Sequence, residues 1–428
     1  MESEWQTLSL REAGVLLIDC DHRTPPPAEY GYPYIAIPQL KQGRLDLADV
    51  RRITYEHFLE WTRKAKPEPY DVILSRRCNP GETAFVPPGL EFALGQNLVL
   101  LRADGRKVFP PFLRWLVRSP AWWKQVETFI NVGAVFDSLR CADIPKFRLP
   151  LPPLHQQEAI AEVLGSFDNK IELNRKMNAT LEQIAQALFK SWFVDFDPVK
   201  AKAAGRQPEG MDTETAALFP SEFEKSELGL IPKGWRVGGV YDVADVIYGA
   251  PFSSGLFKEN GRGTPLIRIR DLTTHAPQIS TEEIHPKGKL IRAGDVIVGM
   301  DGEFRAYWWL GREAWLNQRV CTFVPKLPAN EIYIRFLIQD PLAFFERAKV
   351  GTTVIHLGKA DIDRMRAVIP SKFVLSAFSN LSKPFLKTIV EHSSENRTLS
   401  QLRDLLLPKL ISGQLRVPDA ERMAEAVS

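Results

Sequence analysis

Cysteine is scarce in this 428-residue chain: Cys20, Cys78, Cys141 and Cys321 stand far apart, with no Cys-x-x-Cys and no histidine at zinc spacing. Neither a disulfide framework nor a structural metal site is expected, and a reducing, cytoplasmic setting suits the composition. Long apolar runs are missing too. Nothing approaches the ~18 residues a membrane-spanning helix needs, and the opening residues, Met1 to Trp5, show neither the basic nor the apolar stretch of a secretory leader, so no membrane partner is expected. Charge of one sign is not in excess. Lys+Arg 55 against Asp+Glu 52 leaves +3, so any nucleic-acid contact must come from local arrangement and not from bulk charge. The remaining composition, 44% hydrophobic and 25% charged, is that of a globular protein too long for one core, which implies two or more domains.

Catalytic signatures are absent as well. Gly358-Lys359 lacks the upstream glycine of a phosphate loop and is followed by Ala360, which argues against ATP hydrolysis. No Asn/Asp-Pro-Pro-Tyr/Phe run offers the pocket that base amino-methylation requires, and no Gly-x-Gly-x-x-Gly offers a cofactor loop. Pro418-Asp419 and Glu421 resemble a nuclease fragment without its lysine and read as a solvated tail. The seven histidines, at 22, 57, 155, 275, 285, 356 and 392, have no neighbours at ligand spacing in the sequence. The expectation is a chain with no catalytic residue, no metal and no cofactor of its own.

What the chain does have is an internal repeat. Phe167 to Gln183 runs parallel to Phe385 to Gln401 at a constant offset of 218 (385 − 167), and Ala142-Asp143-Ile144 maps onto Ala360-Asp361-Ile362 at the same offset. Earlier in each half, Gly31 to Leu40 resembles Gly263 to Leu272 at 232 (263 − 31), and Asp71-Val72-Ile73 matches Asp295-Val296-Ile297 at 224 (295 − 71). The shrinking offset means one unit used twice, the second copy being shorter in its loops. In the first part of each unit, short apolar runs such as Tyr34 to Ile37, Val72 to Leu74 and Leu98 to Leu101 are punctuated by Gly and Pro and predict strands. Phe112 to Val117, with Trp122 and Trp123 beyond Pro120, has helical spacing and predicts one helix packed on them.

The second part of each unit changes period. Ile160, Leu164, Phe167, Ile171, Asn174, Asn178, Leu181, Ala185, Leu188 and Trp192 step by four and three, the seam of a coiled coil. Phe378, Ser382, Phe385, Ile389, His392, Asn396, Leu399, Arg403, Leu406 and Leu410 keep the same register. Pro152-Pro153 and Pro198 bound the first as a rod of ~30 residues, ~45–50 Å long. An isolated seam would be exposed, so the two helices are expected to pair antiparallel, relating the units by a pseudo-two-fold axis. The fold class is therefore α+β, two mixed globular parts separated by a helix pair. Asn174 and Asn178 fit a polar stripe at the helix surface or, more sharply, register control of the pair.

Polar loops after equivalent strands supply candidate DNA contacts: Arg76, Arg77 and Asn79 in one half, and Arg268, Arg270, Arg305, Asn317, Gln318 and Arg319 in the other. Arg, Asn and Gln present the forked donors and acceptors that match base edges. Loop residues of these types fit an ordinary solvated surface equally well. Trp308 and Trp309 read as packing residues.

Leu149 to Gln157, Ile160-Ala161, Asn169 to Asn174 and Lys190 to Pro198 resemble the central conserved region of the specificity subunit of type I restriction-modification systems. Leu407 to Gly413 with Arg416-Val417-Pro418 resemble the C-terminal conserved region of that family. The resemblance spans the chain. It implies target-recognition domains at 1–150 and 228–370, a central helix at 151–197, a linker at 198–227, a second helix at 371–415 and a tail at 416–428. It also implies readout of a bipartite, asymmetric duplex target in which the helices set the gap. Two methyltransferase subunits would carry S-adenosylmethionine, and ATP- and Mg2+-dependent translocase-nuclease subunits would join the full complex, a phage-defence assembly. The seam marks Phe167, Ile171, Asn174, Asn178, Leu181, Leu188, Phe385, Ile389, Asn396, Leu399 and Leu406 as the helix-pairing residues, and the resemblance implies that the helices they lie on dock the methyltransferase subunits. A single-chain enzyme is excluded by length. A helix-centred protein scaffold without DNA readout is the alternative.

Overall fold

The computed structural model describes residues 5–133, 136–259, 261–349 and 355–425. These gather into two compact units, residues 1–170 with 398–428 and residues 171–397. The division falls within the two long helices and not at the boundaries of the expected domains. No helix among the described residues is long and apolar enough to cross a membrane.

Each unit contains the same four-stranded antiparallel sheet. In the first the order is Val15–Asp19, Leu98–Ala103, Val72–Ser75, Thr83–Phe85, and in the second Ala244–Tyr248, Val320–Pro325, Val296–Gly299, Ala306–Trp308. A parallel strand pair accompanies each sheet: Tyr32–Ile35 with Ala93–Leu94, and Thr264–Ile267 with Ala314–Leu316. The central strands read as unbroken apolar runs because both of their faces are covered. In the first unit Ile73 and Leu100 pack on Ile35 and Leu94. In the second, Ile297 joins Ile267 and Leu316 on one face, while Val296 and Val298 join Phe336 and Phe378 on the other. Each such fully buried aliphatic side chain contributes roughly 1.5–3 kcal/mol of transfer free energy.

The single helix expected at Phe112 to Val117 is two, Pro110–Leu116 and Pro120–Phe129. The break falls where Ser119 caps the second helix by accepting from the Trp122 backbone N–H. In the second unit one helix, Glu331–Ala348, replaces the two and tolerates Pro341 inside it.

The long helices are Leu154–Phe193 and Lys372–Ile411, 40 residues each, so about 60 Å at 1.5 Å per residue and longer than the seam alone predicts. The extra length at the first N-terminus is anchored by Gln157, whose side chain accepts from Phe109 N (2.9 Å) and donates to Lys107 O and Pro152 O (both 2.8 Å). Pro384 and Pro408 sit inside the second helix without ending it, each giving up one backbone bond.

Two expectations about connecting segments are corrected. Residues 198–227, whose polar composition suggests a linker, hold the helices Asp197–Ala203 and Thr213–Ala217 and the strand Phe223–Ser226. Val199 and Phe219 from this stretch are buried in the second unit's core, so a few apolar anchors outweigh the average polarity. The tail likewise forms a helix, Val417–Glu425, with Ala420 fully buried.

Candidate nucleic-acid interface and helix pairing

In the second unit the parallel pair Thr264–Ile267 and Ala314–Leu316 ends together, so Arg268, Arg270 and Asn317 to Arg319 emerge at one edge. Asn317 N donates to Ile267 O (3.3 Å), Gln318 N to Ala250 O (2.9 Å), and Met300 N to Arg319 O (2.8 Å), which ties four loops into one surface. Gly249 permits the closest approach, since a Cβ there would stand 2.0 Å from Asn317 O. Gln318, Arg319 and Arg270 are exposed; Arg319 faces Asp301 at 3.6 Å, and Asp301 also accepts from or bonds to His356 Nδ1 at 2.6 Å. Arg305 is exposed and pairs with Glu303 at 3.2 Å.

Two candidates face inward. Arg268 is committed to the buried carboxylate of Asp271 (Nε–Oδ2 3.1 Å), which also accepts from the Arg268 N–H and closes the turn. Asn317 is 8% exposed, and its Oδ1 accepts from Gln318 N (2.9 Å). Both hold the loop in shape. Their polar side chains have partners inside the fold, a fact that residue type alone does not reveal.

In the first unit Arg77 and Asn79 are exposed, and Arg77 lies over the Phe136 ring (5.5 Å). Arg76 is half-buried: its N–H donates to Asn97 O (2.9 Å) and its guanidinium faces Asp19 at 3.9 Å. That bond brings in two residues that the sequence reading passed over, Gln96 and Asn97. They lead into the strand at Leu98 as Gln318 and Arg319 lead into the strand at Val320, an offset of 222 (318 − 96). Asn97 and Arg319 both have left-handed backbone, φ 67° and 74°. Gln96 donates to Thr24 Oγ1 (3.1 Å). The offset itself, followed through the loops, would have found this pair.

Asp19, Cys20 and His22, within four consecutive positions, bring three potential ligand atoms within 4.8 Å of one another, a local grouping that the expectation of no histidine with neighbours at ligand spacing missed. Their surroundings oppose a cation. The Cys20 thiol donates to Gly95 O (3.2 Å), and burial, then the Asp19 charge, pushes its pKa up to about 11; Lys64 and Arg76 flank Asp19. A protonated thiol beside two cations is a poor metal ligand.

Along the helix pair, Phe167, Ile171, Ile389, Leu399 and Leu406 are buried, and Leu181, Leu188 and Phe385 are partly so. Asn174, 1% exposed, donates to Asn396 Oδ1 (3.0 Å) and Glu395 Oε2 (2.6 Å). Asn178 donates to Ile389 O (3.4 Å) and meets His392 Nδ1 at 2.8 Å through its Oδ1. These pairs make the helices antiparallel, and the asparagines lie in the interface and not on its surface. Elsewhere in the first unit, Asp168, on the first helix, takes Arg403 of the second (2.5 Å), Arg44 (2.6 Å) and Arg114.

The chain matches the family described as type I restriction modification DNA specificity domain over residues 17–183 and 232–373, most of its length. It belongs to that family. Its relatives include the type I restriction enzyme HindI specificity subunit of Haemophilus influenzae, 26% identical over 399 residues that cover 81% of this chain and 86% of the relative. The MjaIX specificity subunit of Methanocaldococcus jannaschii is 29% identical over 366 residues, covering 81% and 78%. Among solved structures, the type I restriction-modification system S subunit from M. genitalium has the same fold, with TM-score 0.55 at 14% identity over 95% of this chain and 96% of that one. The two sheet-bearing units and the paired long helices are thus those of a specificity subunit.

Proposed function

We propose that this specificity subunit reads a bipartite, asymmetric duplex DNA target, one half-site per unit, and docks two methyltransferase subunits on its paired helices while doing no chemistry itself. The observation that carries this reading is the recurrence, at the same strand end of both units, of a glutamine-bearing left-handed turn tied by backbone bonds to a segment with an exposed arginine: Asn97 O accepts from the N–H of Arg76, next to Arg77, and Asn317 N donates to Ile267 O, three residues before Arg270. Glutamine can pair bidentately with adenine and arginine with guanine, while the remaining basic groups hold phosphates. Docking is supported by Leu173, Met177 and Ile184, which are 53%, 42% and 43% exposed along one side of the first helix, apolar groups a partner would cover. S-adenosylmethionine, ATP and Mg2+ belong to the partner subunits.

The test is genome-wide mapping of methylated motifs in cells carrying the chain with its partners. Gln96→Ala should relax one half of the motif and Gln318→Ala the other, each by about 1–3 kcal/mol of discrimination. Simultaneous change of both halves by either variant defeats the assignment. A salt-independent affinity of the assembled complex for duplex DNA would instead favour the protein-scaffold alternative.

A further inference from the structure

In the first unit, the tight turn at Gln42-Gly43, the helix beginning at Pro120 and the last turns of the second long helix enclose a cavity of about 500 Å³. Arg118, Arg403, Asp404, Glu82, Thr83 and Trp123 line it. Guanidinium groups crowd in and behind its wall, those of Arg44, Arg114, Arg118 and Arg403, beside the carboxylates of Asp168, Asp404 and Glu82.

The carboxylates are unevenly shared. Asp168 is taken by Arg44, Arg114 and Arg403, and Asp404 is held by Arg403 through both Nε (2.9 Å) and Nη2 (2.8 Å). Arg118 reaches Asp404 only at 3.8 Å, and its Nη1 is buried with no hydrogen-bond partner. Its side chain is 17% exposed and cannot swing away freely: Gly43 backs it so closely that a Cβ there would stand 3.0 Å from Arg118 Cδ and Nε. Burial, and then the neighbouring Arg403 charge, pushes the Arg118 pKa below its ordinary value. A buried guanidinium N–H with no acceptor is costly, and the ligand that relieves it is an oxyanion.

We propose that this cavity is an oxyanion site that receives a phosphate group, with Arg118 as its principal donor, Arg403 behind it and the Thr83 hydroxyl on its wall. The volume exceeds that of phosphate alone, and the half-exposed Trp123 at the wall offers an apolar face for whatever carries the phosphate. Two sources share this chemistry, a phosphate of the DNA backbone and the phosphate of a small molecule. The site is independent of which bases the loops read.

The experiment uses the full chain and inorganic phosphate, at fixed pH and at ionic strength matched with chloride. The thermal midpoint of the wild type should rise saturably with phosphate, and Arg118→Gln should abolish the rise while Arg292→Gln, at an exposed position of the other unit, keeps it. Asp404→Asn alters an exposed helix position and removes the carboxylate competing for the donors, so its half-saturating phosphate concentration should fall by roughly three-fold or more. No saturable rise in the wild type, an undiminished rise in Arg118→Gln, or unchanged or weaker affinity in Asp404→Asn each overturns the proposal. Mixed-sequence duplex DNA then separates the sources. If duplex displaces phosphate from the wild type, the site serves the backbone; if both bind together, it serves a small phosphate-bearing molecule.

Discussion

The two units carry the same sheet on different joints. At the first, the helix segment is fastened by charge: Asp168, 5% exposed, gathers Arg44, Arg114 and Arg403. At the second, the repeat places Leu386 where Asp168 stands (168 + 218) and Ala185 where Arg403 stands (403 − 218), and the fastening is aromatic. Phe378 contacts Phe189, Trp192, Phe193 and Tyr333, with ring centroids 5.0–6.3 Å apart. One element is common to both. Arg114 lies over Phe85 (3.7 Å) and Trp115 (4.4 Å), and its counterpart Arg335 lies over Trp308 (4.1 Å) and Phe336 (5.3 Å), yet the first reaches Asp168 and the second Glu182. A shared fold therefore does not require a shared way of holding a helix. It requires only that each joint be internally consistent.

The sharpest way to break the contrast is to remove the carboxylate on which the first joint's arginines converge. Asp168→Ala takes from Arg44, Arg114 and Arg403 the buried carboxylate they share and should cost about 3–5 kcal/mol, read by urea denaturation with hydrogen exchange assigning the loss to residues 1–170 and 398–428. A loss below about 1 kcal/mol would mean the cluster is hydrated and not a joint. Phe378→Ala should cost a similar ~3–5 kcal/mol in the other unit through cavity formation, without the ionic-strength dependence expected of the charged joint.

Acid separates the units next. Burial, and then the Arg397 charge, pushes the His275 pKa down from 6.5 to about 4, with Leu310 N donating to its Nδ1 (3.3 Å). A histidine held neutral in the fold takes up its proton on unfolding, so its stability is complete above pH ~6.5 and is lost as pH falls toward about 4, on the order of 2–3 kcal/mol. For Asp168, burial raises the pKa, but Arg114, Arg44 and Arg403 together outweigh it and the net shift is downward from 3.8. Its contribution is therefore retained until the pH drops below the ordinary carboxylate range. Between pH 7 and 5 the second unit should soften while the first does not, and His275→Gln should flatten that dependence. Equal softening of both units, measured by unit-resolved exchange, would refute the assignment.

A smaller effect tests the polar centre of the helix pair. Asn174→Leu removes the Nδ2 donor that Asn396 and Glu395 share and should cost about 1–3 kcal/mol, whereas Asn174→Leu with Asn396→Leu should recover most of it. A double-mutant cycle with no coupling would show the two asparagines to be independent. Smallest is the loss at the shared element: Arg335→Gln forgoes stacking on Trp308 and a half-exposed ion pair, about 1 kcal/mol by thermal midpoint. A loss as large as that of Asp168→Ala would mean the arginine, and not the aromatic cluster, holds the second joint.

Legibility followed the range of the physics. The helix seam repeats every three or four residues, so Phe167, Ile171 and Leu406 could be marked from periodicity alone, as could the strands at Val72 and Leu98. The loops lack a period. Arg268 and Asn317 look like DNA contacts by residue type but are spent on Asp271 and on the turn itself, while Gln96, in a segment without a cluster of arginines, carries no such signal. Apolar anchors in a polar stretch, Val199 and Phe219, are hidden by averaging in the same way.

The sequence by itself determined that one unit is used twice, that each copy ends in a helix with an apolar seam, and that no nucleotide-, cofactor- or base-methylating motif is present. These follow from local spacing and from comparison of the chain with itself. Only the tertiary structure decided that Asp168 meets arginines from positions 44, 114 and 403, that Asn97 and Arg319 both take left-handed backbone, and that Arg118 keeps a buried, unpartnered N–H beside a cavity. Charge pairing and desolvation act between groups far apart along the chain, and no local pattern records which distant partner the fold will bring.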